Sequence, residues 1–223
     1  MATHLDLEEQ EQLDALKAFW NQYGNLITWL LVAALSVYAG FNAWQWWQRD
    51  QALKSSAMYE QLERAALIGD VDQTKRVFDD MKSRYPRTVY TQQGALLAAK
   101  TQGAKGQADA ARETLAWVAE SAGEADYQTI ARLRLAGLLL DQKKFDEALK
   151  QLDAVSTSKE FEALVADRRG DILLAQGKAD AAKAAYAKAW QSMAEGVDYR
   201  RLIEAKLASL GAAPAAPASG AAR

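Results

Sequence analysis

Between Lys17 and Arg49 the chain carries no charged residue, and the stretch Leu26 to Trp44, LITWLLVAALSVYAGFNAW, is apolar nearly throughout. A helix needs roughly 20 such residues to cross the hydrocarbon core of a bilayer. Phe19, Trp20 and Tyr23 precede the stretch and Trp44, Trp46 and Trp47 follow it, which is where a spanning segment places aromatic rings at headgroup depth. The pattern predicts a transmembrane anchor over residues 26–47. A buried core helix seldom runs this long without a charge and does not gather tryptophans at one end. A cleaved signal peptide would open with a short basic region; this chain opens with Asp6, Glu8, Glu9, Glu11 and Asp14 against Lys17 alone.

Residues 1–25 form an acidic lead that ends in Leu13, Leu16, Trp20 and Tyr23 on one stripe at helical spacing. They predict a short amphipathic helix at the membrane surface, stopped by Gly24. After the anchor, no Gly or Pro interrupts the chain from Phe41 to Ile68, so one helix is expected from about Leu26 to Ile68.

The remainder repeats. In the segments GDVDQTKRVFDDM, GQADAARETLAWV, KKFDEALKQLDAV and GKADAAKAAYAKA, the residues Thr74, Ala111, Ala148 and Ala182 fall in register, at spacings of 37, 37 and 34. Phe78, Leu115, Leu152 and Tyr186 follow four residues later, and Met81, Val118, Val155 and Ala189 three after those. A small residue that lets two helices approach, then a large apolar one, then a further apolar position, is the tetratricopeptide pattern, with its period of about 34. Pro86 stands where such repeats end a helix. The partner helices bring Leu62, Gly94, Ala136 and Gly170 to the close-packing position, with Gly94 requiring an inter-helix segment about five residues longer in its pair. YRRLIEAKLASL, from Tyr199, reads as a capping helix over the last pair. The fold class expected is therefore all-α: one N-terminal transmembrane helix, a solenoid of about four degenerate tetratricopeptide-like pairs over 48–210 with its capping helix, and a disordered Ala/Pro/Ser/Gly tail over 211–223.

Composition removes most chemistry. There is no cysteine, and the single histidine, His4, lies in the acidic lead, so no catalytic triad, thiol nucleophile or His/Cys metal cluster is expected in the repeats. Gly103 and Gly106 lack the GK[ST] that completes a phosphate loop. No enzyme activity, cofactor or metal is expected. Residues 1–17 hold five acids and one lysine, leaving 24 acids against 26 basic residues. That balance argues against a nucleic-acid surface. What remains is a binding groove along the first helix of each pair, for a peptide or partner helix. The alignment places Tyr59, Glu63, Thr91, Ala95, Leu133, Leu140, Asp167, Asp171 and Leu174 on its inner side, with ordinary inter-repeat packing as the alternative for the leucines.

The segment EEQEQLDALKAFW, the uncharged span ending in WQWWQ and the degenerate repeats together resemble the YfgM family of ancillary translocon subunits over nearly the whole chain. The resemblance implies a single-pass protein of the bacterial inner membrane, its N-terminus cytoplasmic and its repeats periplasmic. It implies association with the SecYEG translocon, with a membrane-anchored periplasmic prolyl-isomerase-like chaperone and with unfolded client polypeptides, which it helps hand to periplasmic chaperones. It carries no catalytic residues. A scaffold for another envelope complex, in division or secretion, is the alternative; co-purification in mild detergent separates the two. Basic residues near the span number one before it (Lys17) and three after it (Arg49, Lys54, Arg64), which taken alone favours the opposite orientation.

Overall fold

The computed structural model describes residues 7–155 and 159–212, and the chain divides into two compact units, Met1–Leu53 and Lys54–Arg223. His4, the Ser156–Ser158 connection and the tail from residue 213 lie outside the described residues. Among the described residues the regular structure is helical: α1 (Leu7–Leu67), α2 (Val71–Arg84), α3 (Val89–Ala104), α4 (Ala108–Ser121), α5 (Ala125–Asp141), α6 (Phe145–Asp153), α7 (Lys159–Ala175), α8 (Ala179–Ser192) and α9 (Tyr199–Ser209).

The first unit holds the N-terminal part of α1, which contains a stretch long and apolar enough to cross a membrane. None of that stretch is buried within the protein, so it is not a core helix. The expected stop at Gly24 does not occur; α1 runs through it. A glycine within a helix costs only about 1 kcal/mol relative to alanine. Here the missing side chain makes room for the indole of Trp20, whose ring atoms lie 3.2 Å from where a Cβ would sit. Two polar side chains of the apolar stretch bond back to the helix itself. Thr28 Oγ1 donates to the Gly24 carbonyl and Asn42 Nδ2 to the Tyr38 carbonyl, each at 2.8 Å. A polar group left unpaired in hydrocarbon costs several kcal/mol, so this back-bonding is what makes both residues compatible with a span.

In the second unit, the end of α1 shares a buried cluster with α2 through Leu62, Phe78 and Met81, and α3 packs on α4, α5 on α6 and α7 on α8. Successive helices pack from α2 through to α9, and the first helices also stack, α3 on α5 and α5 on α7. The aligned columns become the core. Thr74, Ala111, Ala148 and Ala182 are all enclosed, as are Phe78, Leu115, Leu152 and Tyr186. Of the third column Met81, Val118 and Ala189 are enclosed and Val155 is half-buried. The close-packing column differs in one copy. The α3–α4 connection, Lys105–Gln107, is as short as those of the last two pairs, so no extra segment exists and Ala99 takes the position in register. Gly94 has a separate role, since a Cβ there would stand 3.3 Å from Leu62 Cδ1 and 3.4 Å from Met81 Sδ.

The turn inside each pair is built the same way. Gly69, Gly106, Lys143 and Gly177 follow the 37, 37, 34 spacing and all have positive φ, at 72°, 77°, 59° and 77°. The next residue's N–H reaches back across the turn: Asp70 to Ala65, Gln107 to Gln102, Lys144 to Leu139 and Lys178 to Leu173, at 2.8–2.9 Å. This is the six-to-one bond that closes a helix ending in the left-handed conformation. Lys143 alone adopts it with a side chain, at a steric cost glycine avoids. Lys143→Gly should therefore stabilise the repeat unit by about 1 kcal/mol. A urea midpoint that does not rise would show that this turn carries no strain.

Candidate functional site

The first helices α1 (from Lys54), α3, α5 and α7 present a run of half-buried and exposed aromatic and polar side chains that link each helix to the next. The Tyr59 and Tyr90 rings lie 6.1 Å apart, joining α1 to α3. Gln93 Nε2 donates to the Tyr127 hydroxyl at 2.8 Å, and Arg134 Nη1 donates to the Leu96 carbonyl at 3.1 Å, joining α3 to α5. Gly137 lets the Arg168 guanidinium approach, 3.6 Å from the missing Cβ, joining α5 to α7. Burial first, and then the Glu63 charge, raises the Tyr59 hydroxyl above its ordinary pKa. A recess of about 250 Å³ between the ends of α1 and α3 is lined by Glu63, Ala66, Leu67, Leu97, Lys100 and Ala104 among others. Leu67 is four-fifths exposed at its rim.

The predicted groove residues separate into three groups. Glu63 is exposed on this face and Tyr59 half-buried beside it against the main core cluster, while Leu174 and the partly exposed Asp171 are accessible on α7. Leu133 and Leu140 are half-buried against the main core cluster, so their apolar surface serves inter-repeat packing as well. Thr91, Ala95 and Asp167 are enclosed and cannot meet a partner. Thr91 Oγ1 donates to the Tyr85 carbonyl at 2.8 Å and lies 3.2 Å from Ser55 Oγ, which itself lies 2.7 Å from Thr88 Oγ1. This hydroxyl cluster pins the α2–α3 corner to α1.

Asp167 is held by the capping helix. Lys206 Nζ bonds both of its oxygens at 2.8 and 2.9 Å and reaches Asp171 Oδ1 at 2.7 Å. The Tyr199 hydroxyl donates to Asp167 Oδ2 and the Tyr186 hydroxyl to Asp171 Oδ1, both at 2.8 Å. Burial, followed by the carboxylate each one bonds, pushes both tyrosine hydroxyls far above their ordinary range. The network ties α7, α8 and α9 together above a small core of its own, formed by Ala166, Ala182, Tyr186, Ala189, Ile203 and Leu207.

Sequence reasoning passed over Tyr90, Gln93, Leu97 and Tyr127. The signal was present: Tyr90, Tyr127 and Phe161 repeat at 37 and 34, the spacing of the second-helix columns. Among the described residues no cluster of His, Asp or Glu could hold a metal.

The family described as a tetratricopeptide repeat-like domain matches residues 17–212. The chain is similar to the ancillary SecYEG translocon subunit of Neisseria gonorrhoeae, 31% identical over 94% of this chain and 100% of the relative. The protein of that name from Aggregatibacter actinomycetemcomitans is 29% identical over 92% of this chain and 98% of its own. The one from Escherichia coli K12 is 26% identical over 80% and 85% respectively. No solved structure matches the chain.

Proposed function

The chain belongs to the YfgM family of ancillary SecYEG translocon subunits, a tetratricopeptide repeat-like family, and on that premise we propose that it is a membrane-tethered binding subunit of the translocon. The helix α1 anchors it in the bacterial inner membrane, the N-terminus is cytoplasmic and the repeats stand in the periplasm. The first-helix face from Tyr59 to Leu174 receives a segment of a partner or client polypeptide. Its partners are SecYEG, a membrane-anchored periplasmic prolyl-isomerase-like chaperone, and unfolded chains on their way to periplasmic chaperones. Its role is to bind rather than to catalyse. The observation that carries this reading is the presence of an apolar stretch in α1 that is not buried within the protein, together with a stack of helix pairs whose first helices leave Glu63 and Leu174 exposed beside the half-buried Tyr59 and Leu97.

Tethering supplies what a shallow surface lacks. A site held beside a channel exit meets emerging chains at an effective concentration in the millimolar range, so modest affinity suffices.

Photo-crosslinking tests the proposal. A photoreactive residue in place of Glu63 or Leu174, in intact membranes, should capture translocon subunits or translocating chains. Leu174→Glu should reduce that capture several-fold at unchanged helicity, because the side chain is exposed and its charge meets water in the free protein. Leu140→Glu should also lower the melting temperature, because it packs on the core. Absence of crosslinks from this face while the protein still co-purifies with SecYEG would move the binding site elsewhere on the chain.

A further inference from the structure

Taking the membrane anchor of the proposed function as given, we propose that the α2–α3 corner is a second membrane contact, one that takes the phosphate headgroups of anionic lipids. The corner is basic and exposed. No acidic residue occurs from Met81 to Ala108, while Lys82, Arg84 and Arg87 cluster at its start. Arg84 and Arg87 are exposed, and neither takes part in an ion pair among the described residues. Pro86, Val89 and Tyr90 add exposed apolar and aromatic surface to the same turn. Basic side chains mixed with a tyrosine and apolar neighbours are what the headgroup layer of an anionic membrane retains.

Other corners on this edge of the repeat unit differ. The equivalent α4–α5 corner carries Glu120, Glu124 and Asp126, which an anionic surface repels. Position also favours the α2–α3 corner. It is pinned to α1 through Ser55 and Thr88 at 2.7 Å, and Ser55 follows Trp47, the last aromatic of the span, by eight residues. Even fully extended, eight residues reach at most about 29 Å. The corner is therefore tethered to the end of the span by a short stretch of chain.

The cysteine-free chain allows a direct test. The full-length protein carrying Ser83→Cys, labelled with a fluorophore, is placed in nanodiscs containing a spin-labelled lipid headgroup. The discs hold either phosphatidylcholine alone or 30 mol% phosphatidylglycerol. Each basic side chain near an anionic surface is worth about fivefold in partitioning. Quenching at Ser83 should therefore be much stronger in the phosphatidylglycerol discs and fall at 500 mM NaCl. With Arg84→Gln and Arg87→Gln together, about 25-fold of the lipid preference should disappear. A label on Asp180→Cys should stay unquenched throughout. Retention in the discs with equal quenching in both lipids would overturn the corner contact and leave the anchor intact. Failure of the protein to enter discs at all would overturn the anchor, and the corner contact with it.

Discussion

Replacing Lys206 with methionine should destabilise the C-terminal pair by about 3 kcal/mol, at the lower end of what breaking a buried ion pair costs. The lysine is the cation between two carboxylates, its side chain 22% exposed beside an Asp167 that is 2% exposed. Without it Asp167 keeps only the Tyr199 hydroxyl, and Asp171 keeps the Tyr186 hydroxyl with Arg168 at 3.5 Å. Two negative charges would then face each other next to a small apolar core that α9 helps to close. Hydrogen exchange in the purified protein should show α8 and α9 losing protection while α3 to α5 keep theirs, because the two buried clusters are separate. Asp167→Asn in the same chain should restore part of the loss, since neighbours in one network are not additive. Unchanged exchange in α8 and α9 would mean that the network does not seal this end.

The same region should weaken in alkali. Both Tyr186 and Tyr199 have hydroxyls raised above the ordinary value of 10.0 in the fold. The unfolded chain ionises its tyrosines first, so their contribution is complete below pH 10 and declines as pH rises above it.

Gly170 carries the second large effect. A Cβ on it would lie 2.4 Å from Tyr186 Cε1 and 2.5 Å from Cδ1, inside van der Waals contact. The ring cannot yield cheaply, because Tyr186 is enclosed and its hydroxyl is fixed to Asp171. Overpacking of this kind costs typically 1–3 kcal/mol, so Gly170→Ala should lose about 2 kcal/mol and Gly170→Val more than about 3. Gly103→Ala is the matched control. Nothing stands within 4 Å of its missing Cβ, and replacing a helical glycine should leave stability unchanged or raise it by about 0.5–1 kcal/mol. Equal melting temperatures for Gly170→Ala and Gly103→Ala would show that α7 and α8 do not approach each other as described.

Those two sites mark the limits of what the sequence discloses. The anchor was legible because a charge-free apolar run of this length, edged by aromatics, suits a bilayer and little else. The second helices were legible because Thr74, Ala111, Ala148 and Ala182 recur in register and are enclosed between helices, where a small side chain lets two helices approach. The first helices were harder to read, since their columns hold a mixture of large and small residues. Gly94 is a small residue that its helix offers, while Ala99 holds the register. Lys143 hid an otherwise regular turn by replacing a glycine with a side chain that carries a steric penalty. The repeat alignment puts Thr91 and Asp167 on the inner face, yet both are enclosed. Their partners stand 36 and 39 residues away, at Ser55 and Lys206, and no local pattern reveals that burial.

The role proposed for the repeats depends on α1 crossing the membrane and leaving them on the periplasmic side. Because the chain contains no cysteine, one introduced thiol reports its own location without background. Asp180 has a fully exposed side chain at the start of α8, and Gln12 is exposed near the start of α1. A membrane-impermeant maleimide added to intact spheroplasts should label Asp180→Cys at once and reach Gln12→Cys only after lysis. The reverse order, which the Lys17, Arg49, Lys54 and Arg64 distribution taken alone would favour, would put the repeats in the cytoplasm and contradict a role in handling chains on the periplasmic side.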